Sequence, residues 1–273
     1  QGSYGKVFCN NKLCVKAVSY SQGVSGLALV SEAFIQQIVH IIYPPATPST
    51  QVCKIDDDTL GVVMPRLKMD LYKYMDLGKP HPLDALAQIA FALEMVRAHS
   101  QVGLVAHRDL HGGNIMCARI PGGERMQMQI GNYALDFDTE WEWQIIDWGM
   151  ACMNVAGLNL VTNEDHFFNN PGTKCKSEID LTVLLHTYLR NRSTRQFASQ
   201  FFTLEDAEIM NGRDGVYKAD FFGYYYPKKD ITPEAVFRAL RKLERYKPRV
   251  QTPPPAPRRQ RRARSPSPME GTS

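Results

Sequence analysis

Two short segments constrain this chain more than any other stretch: His107-Arg108-Asp109-Leu110-His111-Gly112-Gly113-Asn114 and Ile145-Ile146-Asp147-Trp148-Gly149. Each lies beside an apolar, strand-like run. Between them, Ile115 to Ile146 reads as a long hairpin region that contains Pro121-Gly122-Gly123 and alternating Met126, Met128 and Ile130. The two segments supply two carboxylates and an amide of the kind a phosphoryl-transfer site needs. Asp109 can orient an attacking hydroxyl and accept its proton. Asp147, with the side-chain oxygen of Asn114, can hold Mg2+ on the phosphates of ATP.

Composition leaves room for that chemistry. The 273 residues, 44% hydrophobic and 22% charged, suffice for one large domain or a two-lobed one with a substantial core. No apolar run reaches the roughly 18 residues of a transmembrane helix, so no membrane partner is expected. The start carries neither a signal peptide nor an initiator Met and opens inside a glycine-rich loop, which reads as a truncated N-terminus. The six cysteines (Cys9, Cys14, Cys53, Cys117, Cys152, Cys175) are dispersed without a C-x-x-C pair. That pattern speaks against a zinc site or a disulfide framework and for a reducing, intracellular compartment.

Residues 1–66 read as β-rich with one helix. Strands are expected at Lys6–Cys9, Leu13–Val18 and Leu60–Met64, with a hairpin turn at Asn10-Asn11-Lys12. A helix is expected from an N-cap at Ser31 to Ile42, stopped by Pro44-Pro45. From Asp70 the character turns helical, with helices at Asp70–Met75, Leu83–Ser100, Ile179–Leu189, Leu204–Met210 and Pro233–Tyr246. After Lys247 the chain becomes rich in Pro, Arg and Ser. Residues 248–273 read as a disordered basic tail carrying Arg258-Arg259-Gln260-Arg261-Arg262-Ala263-Arg264.

The pattern H-R-D-L-x-x-x-N followed by D-x-G resembles the catalytic and metal-binding loops of eukaryotic-type protein kinases. Residues 1–247 then form a kinase-like domain of the α+β class. A small β-rich N-lobe (1–66) would sit on a larger helical C-lobe (67–247). The resemblance assigns roles residue by residue. Gly2, Gly5 and Val7 in Gln1-Gly2-Ser3-Tyr4-Gly5-Lys6-Val7 match the end of a phosphate-covering glycine-rich loop. Lys16 is the strand lysine for the phosphates, and Glu32 its helix partner. Met64, Pro65 and Leu67 match the hinge that receives adenine, with Met64 as gatekeeper. Asp109 is the base, Asn114 and Asp147 are the metal ligands, and Asp180 is the helix aspartate that anchors the catalytic loop.

Some features depart from the commonest form. His111 stands where many serine/threonine kinases place lysine, as in haspin-type kinases, which share the long hairpin and the missing A-P-E segment. Trp148 replaces the usual Phe, as in the casein kinase two family. Gln36 falls where an apolar spine residue belongs, unless the helix register puts Ile35 there. The stretch Met64–Tyr74 is similar to the hinge of herpesvirus serine/threonine kinases, implying a source in a large DNA virus and action in the nucleus or cytoplasm of an infected cell.

The resemblance implies transfer of the γ-phosphate of ATP to Ser or Thr hydroxyls of a protein substrate. Two alternatives stay open: a small-molecule phosphotransferase of the aminoglycoside- or choline-kinase type, and a catalytically dead scaffold. The tail can serve nuclear import, bind nucleic acid or an acidic partner, or simply solubilise the chain. Ser265 and Ser267, each before proline, are candidate phosphosites.

Overall fold

Asn10 starts the fold at its simplest point. Its side-chain oxygen accepts from the backbone N–H groups of Lys12 (2.8 Å) and Leu13 (2.7 Å). This closes the turn between β1 (Lys6–Cys9) and β2 (Leu13–Ser19). The computed structural model describes residues 6–19, 26–162, 178–202 and 231–249. Gly2, Gly5, the expected helix at Leu204–Met210 and the basic tail lie outside the described residues.

The chain is of the α+β class, with three small antiparallel sheets and several helices. A four-stranded sheet has the order β1-β2-β4-β3, where β3 is Gln51–Asp56 and β4 is Thr59–Pro65. Helix α1 (Gly26–Ile42) packs on it. The helix begins five residues before the expected cap at Ser31, and Leu29, ahead of that cap, is already buried in the small core under the sheet. Its far end stops at the prolines as expected, passing into a 3-10 turn at Pro44–Ala46.

Pro65 ends β4, and the chain crosses to β5 (Met69–Asp70) and α2 (Leu71–Asp76), where the Asp70 carboxylate caps by accepting from the Lys73 N–H. Helix α3 (Leu83–Arg97) has buried residues on every side, from Ala85 to Val96, and forms the centre of the main core. Strand β6 (Val102–Ala106) leads into the His107 segment. Strands β7 (Ile115–Ile130) and β8 (Tyr133–Ile145) form the long hairpin. Its turn falls at Gly131 (φ +54°). Pro121-Gly122-Gly123 instead makes an irregularity within β7, where the register shifts between Arg119 and Glu124.

Strands β9 (Cys152–Val155) and β10 (Leu158–Val161) complete the β6 sheet. Helices α4 (Glu178–Arg190), α5 (Arg195–Ser199) and α6 (Pro233–Leu240) follow. The last is shorter than expected: α6 ends at Leu240, and a 3-10 turn at Glu244–Tyr246 folds back onto α3. There Arg245 and the Tyr246 hydroxyl both bond the Asp84 carboxylate.

Among the described residues no helix is long and apolar enough to cross a membrane. The cysteine expectation needs correction. Cys9 and Cys14, cross-strand partners at the end of the first hairpin, are joined by a disulfide, while Cys53 and Cys117 are free. Spacing alone hides this pair, because a tight turn brings two residues of different strands face to face.

Candidate active site

Lys16 is the centre of the site. On β2 it is the cross-strand partner of Val7 and of Val62, so all three side chains share one face of the sheet. Its ammonium donates to both Glu32 carboxylate oxygens at 2.9 Å and to Asp147 Oδ1 at 2.8 Å. Three residues far apart in sequence therefore meet on one nitrogen.

Burial alone would depress the lysine, but Glu32 and then Asp147 outweigh it, and its pKa stands above the ordinary value. Burial pushes the Glu32 carboxyl up to about 7 against the pull of Lys16. For Asp147, desolvation opposes ionisation, yet Lys16 prevails and holds the carboxyl below its usual range. Gly149 stands close to this triad. A Cβ there would come within 3.2 Å of both Asp147 Oδ1 and Glu32 Oε2, so any larger residue would press the two carboxylates a few tenths of an ångström out of place.

The segment from His107 to Asn114 is pinned from below. Asp180, fully buried on α4, accepts from the backbone N–H groups of His107 (2.9 Å) and Arg108 (2.8 Å). Those bonds support a costly backbone: Arg108 has φ +67° and Asp147 φ +60°, left-handed conformations that cost a side-chain-bearing residue roughly 1–3 kcal/mol. Burial raises the Asp180 carboxyl to about 6 and lowers His107 to about 4. The neutral His107 ring donates from Nε2 to the Ile146 carbonyl at 2.9 Å and stacks edge-on against Trp148. The Arg108 Nε donates to the Met150 carbonyl at 2.6 Å, tying this loop to the segment after Asp147.

Asp109 and Asn114 sit at the open end. The Asn114 amide nitrogen donates to the Asp109 carbonyl (2.8 Å) and approaches Asp109 Oδ2 (3.4 Å). The Asn114 backbone carbonyl accepts from the Ile146 N–H at 2.9 Å, which couples the two motifs directly. Desolvation raises the Asp109 carboxyl, with the His111 ring opposing and Asp147 reinforcing. His111 Nδ1 accepts from the Gly113 N–H, leaving Nε2 on the Asp109 side, 3.7 Å from Oδ2. The two glycines are required here. A Cβ on Gly112 would strike Thr187 at 2.6 Å, and one on Gly113 would strike the His111 ring at 2.8 Å.

The remaining expected positions are less concentrated. Met64 packs against the small core under the four-stranded sheet, and Leu67 is buried on the connector. Pro65 pairs with Leu13 at the end of β4, and the Arg66 N–H donates to the Lys12 carbonyl. Ile35, not Gln36, enters the main core; Gln36 is buried with its amide donating to the Pro48 carbonyl at 3.0 Å.

Two positioning residues were missed from sequence. Thr47, fully buried, donates to the Ile145 carbonyl at 2.6 Å and accepts from the Trp148 ring N–H at 3.2 Å. Thr187 accepts from the Gly112 N–H at 2.9 Å. Neither carries a local signal, since one lies in a proline-rich turn and the other is a helix threonine whose partner is 75 residues away.

A scan against protein-family models finds no match, and a search of curated proteins finds none.

Proposed function

We propose that this chain is an ATP-dependent protein serine/threonine kinase with a two-lobed kinase-like fold. The observation that carries the reading is the convergence on Lys16 of Glu32 and Asp147, beside an Asp109–Asn114 pair that shares a backbone bond with the Asp147 segment. In this reading the four-stranded sheet with α1 is the N-lobe, the helical core is the C-lobe, and Met64 to Leu67 is the hinge.

Asp109 lies where it can accept the proton of an incoming hydroxyl, and its raised pKa suits a base. Lys16, oriented by Glu32, supplies positive charge for the α- and β-phosphates. Asp147 and the free side-chain oxygen of Asn114 would hold Mg2+, which when bound neutralises charge on the phosphates. The donor set fits: one carboxylate and one amide oxygen suffice where phosphates and water complete the shell.

Protein substrates are favoured over small molecules by Arg108, whose bond to Met150 links the base-bearing loop to the segment where a polypeptide would dock. The test is transfer of labelled γ-phosphate from Mg–ATP to a protein mixture and to free aminoglycoside and choline acceptors, with wild type and Asp147→Asn in parallel. Label on Ser or Thr of protein, lost in the variant, is the expected result. Label on a small molecule instead would replace the substrate class, and no transfer with no ATP binding would leave the scaffold reading.

A further inference from the structure

A groove of about 380 Å3 lies away from the Lys16 cluster, between the end of α1, helix α3 and the β7–β8 hairpin. Its walls are apolar and aromatic. The Tyr43 and Phe91 rings meet edge to face at 5.9 Å, and Met126 and Met128 pack against the main core beside them. Into this surface project two carboxylates, Glu124 and the half-buried Glu142. Burial, and then Glu124, hold the Glu142 carboxyl above its ordinary value. Among the described residues neither glutamate makes an ion pair. The one cation on the lining, Arg125, is committed elsewhere, with its guanidinium forked onto Asp136 at 2.8 and 2.6 Å.

Uncompensated carboxylates beside aromatic rings and thioethers suit a guanidinium, which forks onto the carboxylate and lays its flat face on the ring. An arginine-rich segment follows in the sequence. The chain leaves the described residues at Arg249, whose N–H donates to Asp136 Oδ2 at 3.1 Å, so the exit point shares a carboxylate with Arg125 of the groove. Residues 250–257 can bridge up to roughly 25 Å when extended, and Arg258-Arg259-Gln260-Arg261-Arg262 follow. A second cavity, of about 540 Å3, is nearer still, but its two carboxylates, Asp138 and Glu244, are already paired with Arg249 and Lys247, so it offers an incoming arginine no free partner.

We propose that the groove at Glu124 and Glu142 is an intramolecular docking site for arginines of the Arg258–Arg264 segment. Phosphate on Ser265 or Ser267 would then oppose docking by placing negative charge beside the glutamates. The proposal does not rest on kinase activity, and its test does not measure transfer.

The experiment is limited trypsin digestion of the full chain, followed by mass spectrometry of cuts after Arg258 to Arg264. Docked arginines should be cut about tenfold more slowly in wild type than in the double variant Glu124→Gln/Glu142→Gln, the ratio given by about 1.4 kcal/mol of docking. A synthetic peptide of residues 256–268 added to unmodified protein should speed those cuts by competition, and its doubly phosphorylated form should compete less. The peptide arm keeps the test valid should the double variant misfold. Equal cleavage in wild type and a folded double variant, or no competition by the peptide, overturns the proposal.

Discussion

The four-stranded sheet and the helical core hold the same site by different means. The core under the sheet comprises Val18, Leu29, Ala33 and Val62, and β1 and β3 are largely exposed. The main cluster runs through α3, β7, β8, α4 and α6 with side chains such as Leu86, Ile89, Leu93, Trp143 and Phe237 wholly enclosed. Asp109 and Asn114 thus stand on a deep apolar base, whereas Lys16 is held in place chiefly by its carboxylates. In the proposed kinase, the part that would admit and release a nucleotide is thus lightly packed, and the part that would orient a base is not.

That contrast can be broken by exchanging the kinds of damage. Lys16→Met should cut phosphate transfer by at least about a hundredfold, the scale of a lost transition-state charge contact, while leaving the melting midpoint within a few degrees. Ile89→Ala should do the reverse in kind, costing about 3 kcal/mol or more through the cavity it leaves in α3, read by chemical denaturation.

Asp180→Asn should cost about 1–3 kcal/mol, because one of two buried backbone N–H groups loses its acceptor. It also carries a pH signature. The Asp180 pKa is raised from 3.8 to about 6 on folding, so the native state binds the extra proton in that interval. Its contribution to stability is present below about 4 and is lost as pH rises towards 6; denaturation midpoints of the Asn variant should lack that slope.

Glu32→Gln sharpens the comparison at the lightly packed side. With the Glu32 carboxyl near 7, ionisation as pH rises through 7 completes the Lys16 pair. Wild-type kcat/KM should climb between pH 6 and 8, and the Gln variant should be lower and flatter. The smallest effect is expected for Val62→Ala, about 1–2 kcal/mol from two buried methyl groups, measured alongside Ile89→Ala.

The legible parts of the molecule were those with short-range signals. Asn10 declares its turn, Pro44 ends its helix, and the spacing of Asp109, Asn114 and Asp147 survives as a pattern whatever folds between them. Lys16 and Glu32 were legible only together with that pattern. Strand β3 was not, because Gln51–Asp56 is exposed on both faces and shows no alternation. Strands β9 and β10 are short, and their partner β6 lies far upstream. Thr47 escaped because its partners are 98 and 101 residues away. The long hairpin was legible as a region, but its turn at Gly131 is fixed by the strand register rather than by any local sequence signal. The groove at Glu142 depends on its lining cation, Arg125, being committed to Asp136, which no linear pattern reports.

The central claim is that Asp109, Asn114, Asp147 and Lys16 form one phosphoryl-transfer site. The most direct measurement pairs Mg–ATP binding with γ-phosphate transfer in wild type and Asp109→Asn. The account predicts unchanged nucleotide affinity and transfer reduced by at least about a hundredfold, the contribution of a positioned base. Transfer by the Asn variant within a few-fold of wild type would contradict it.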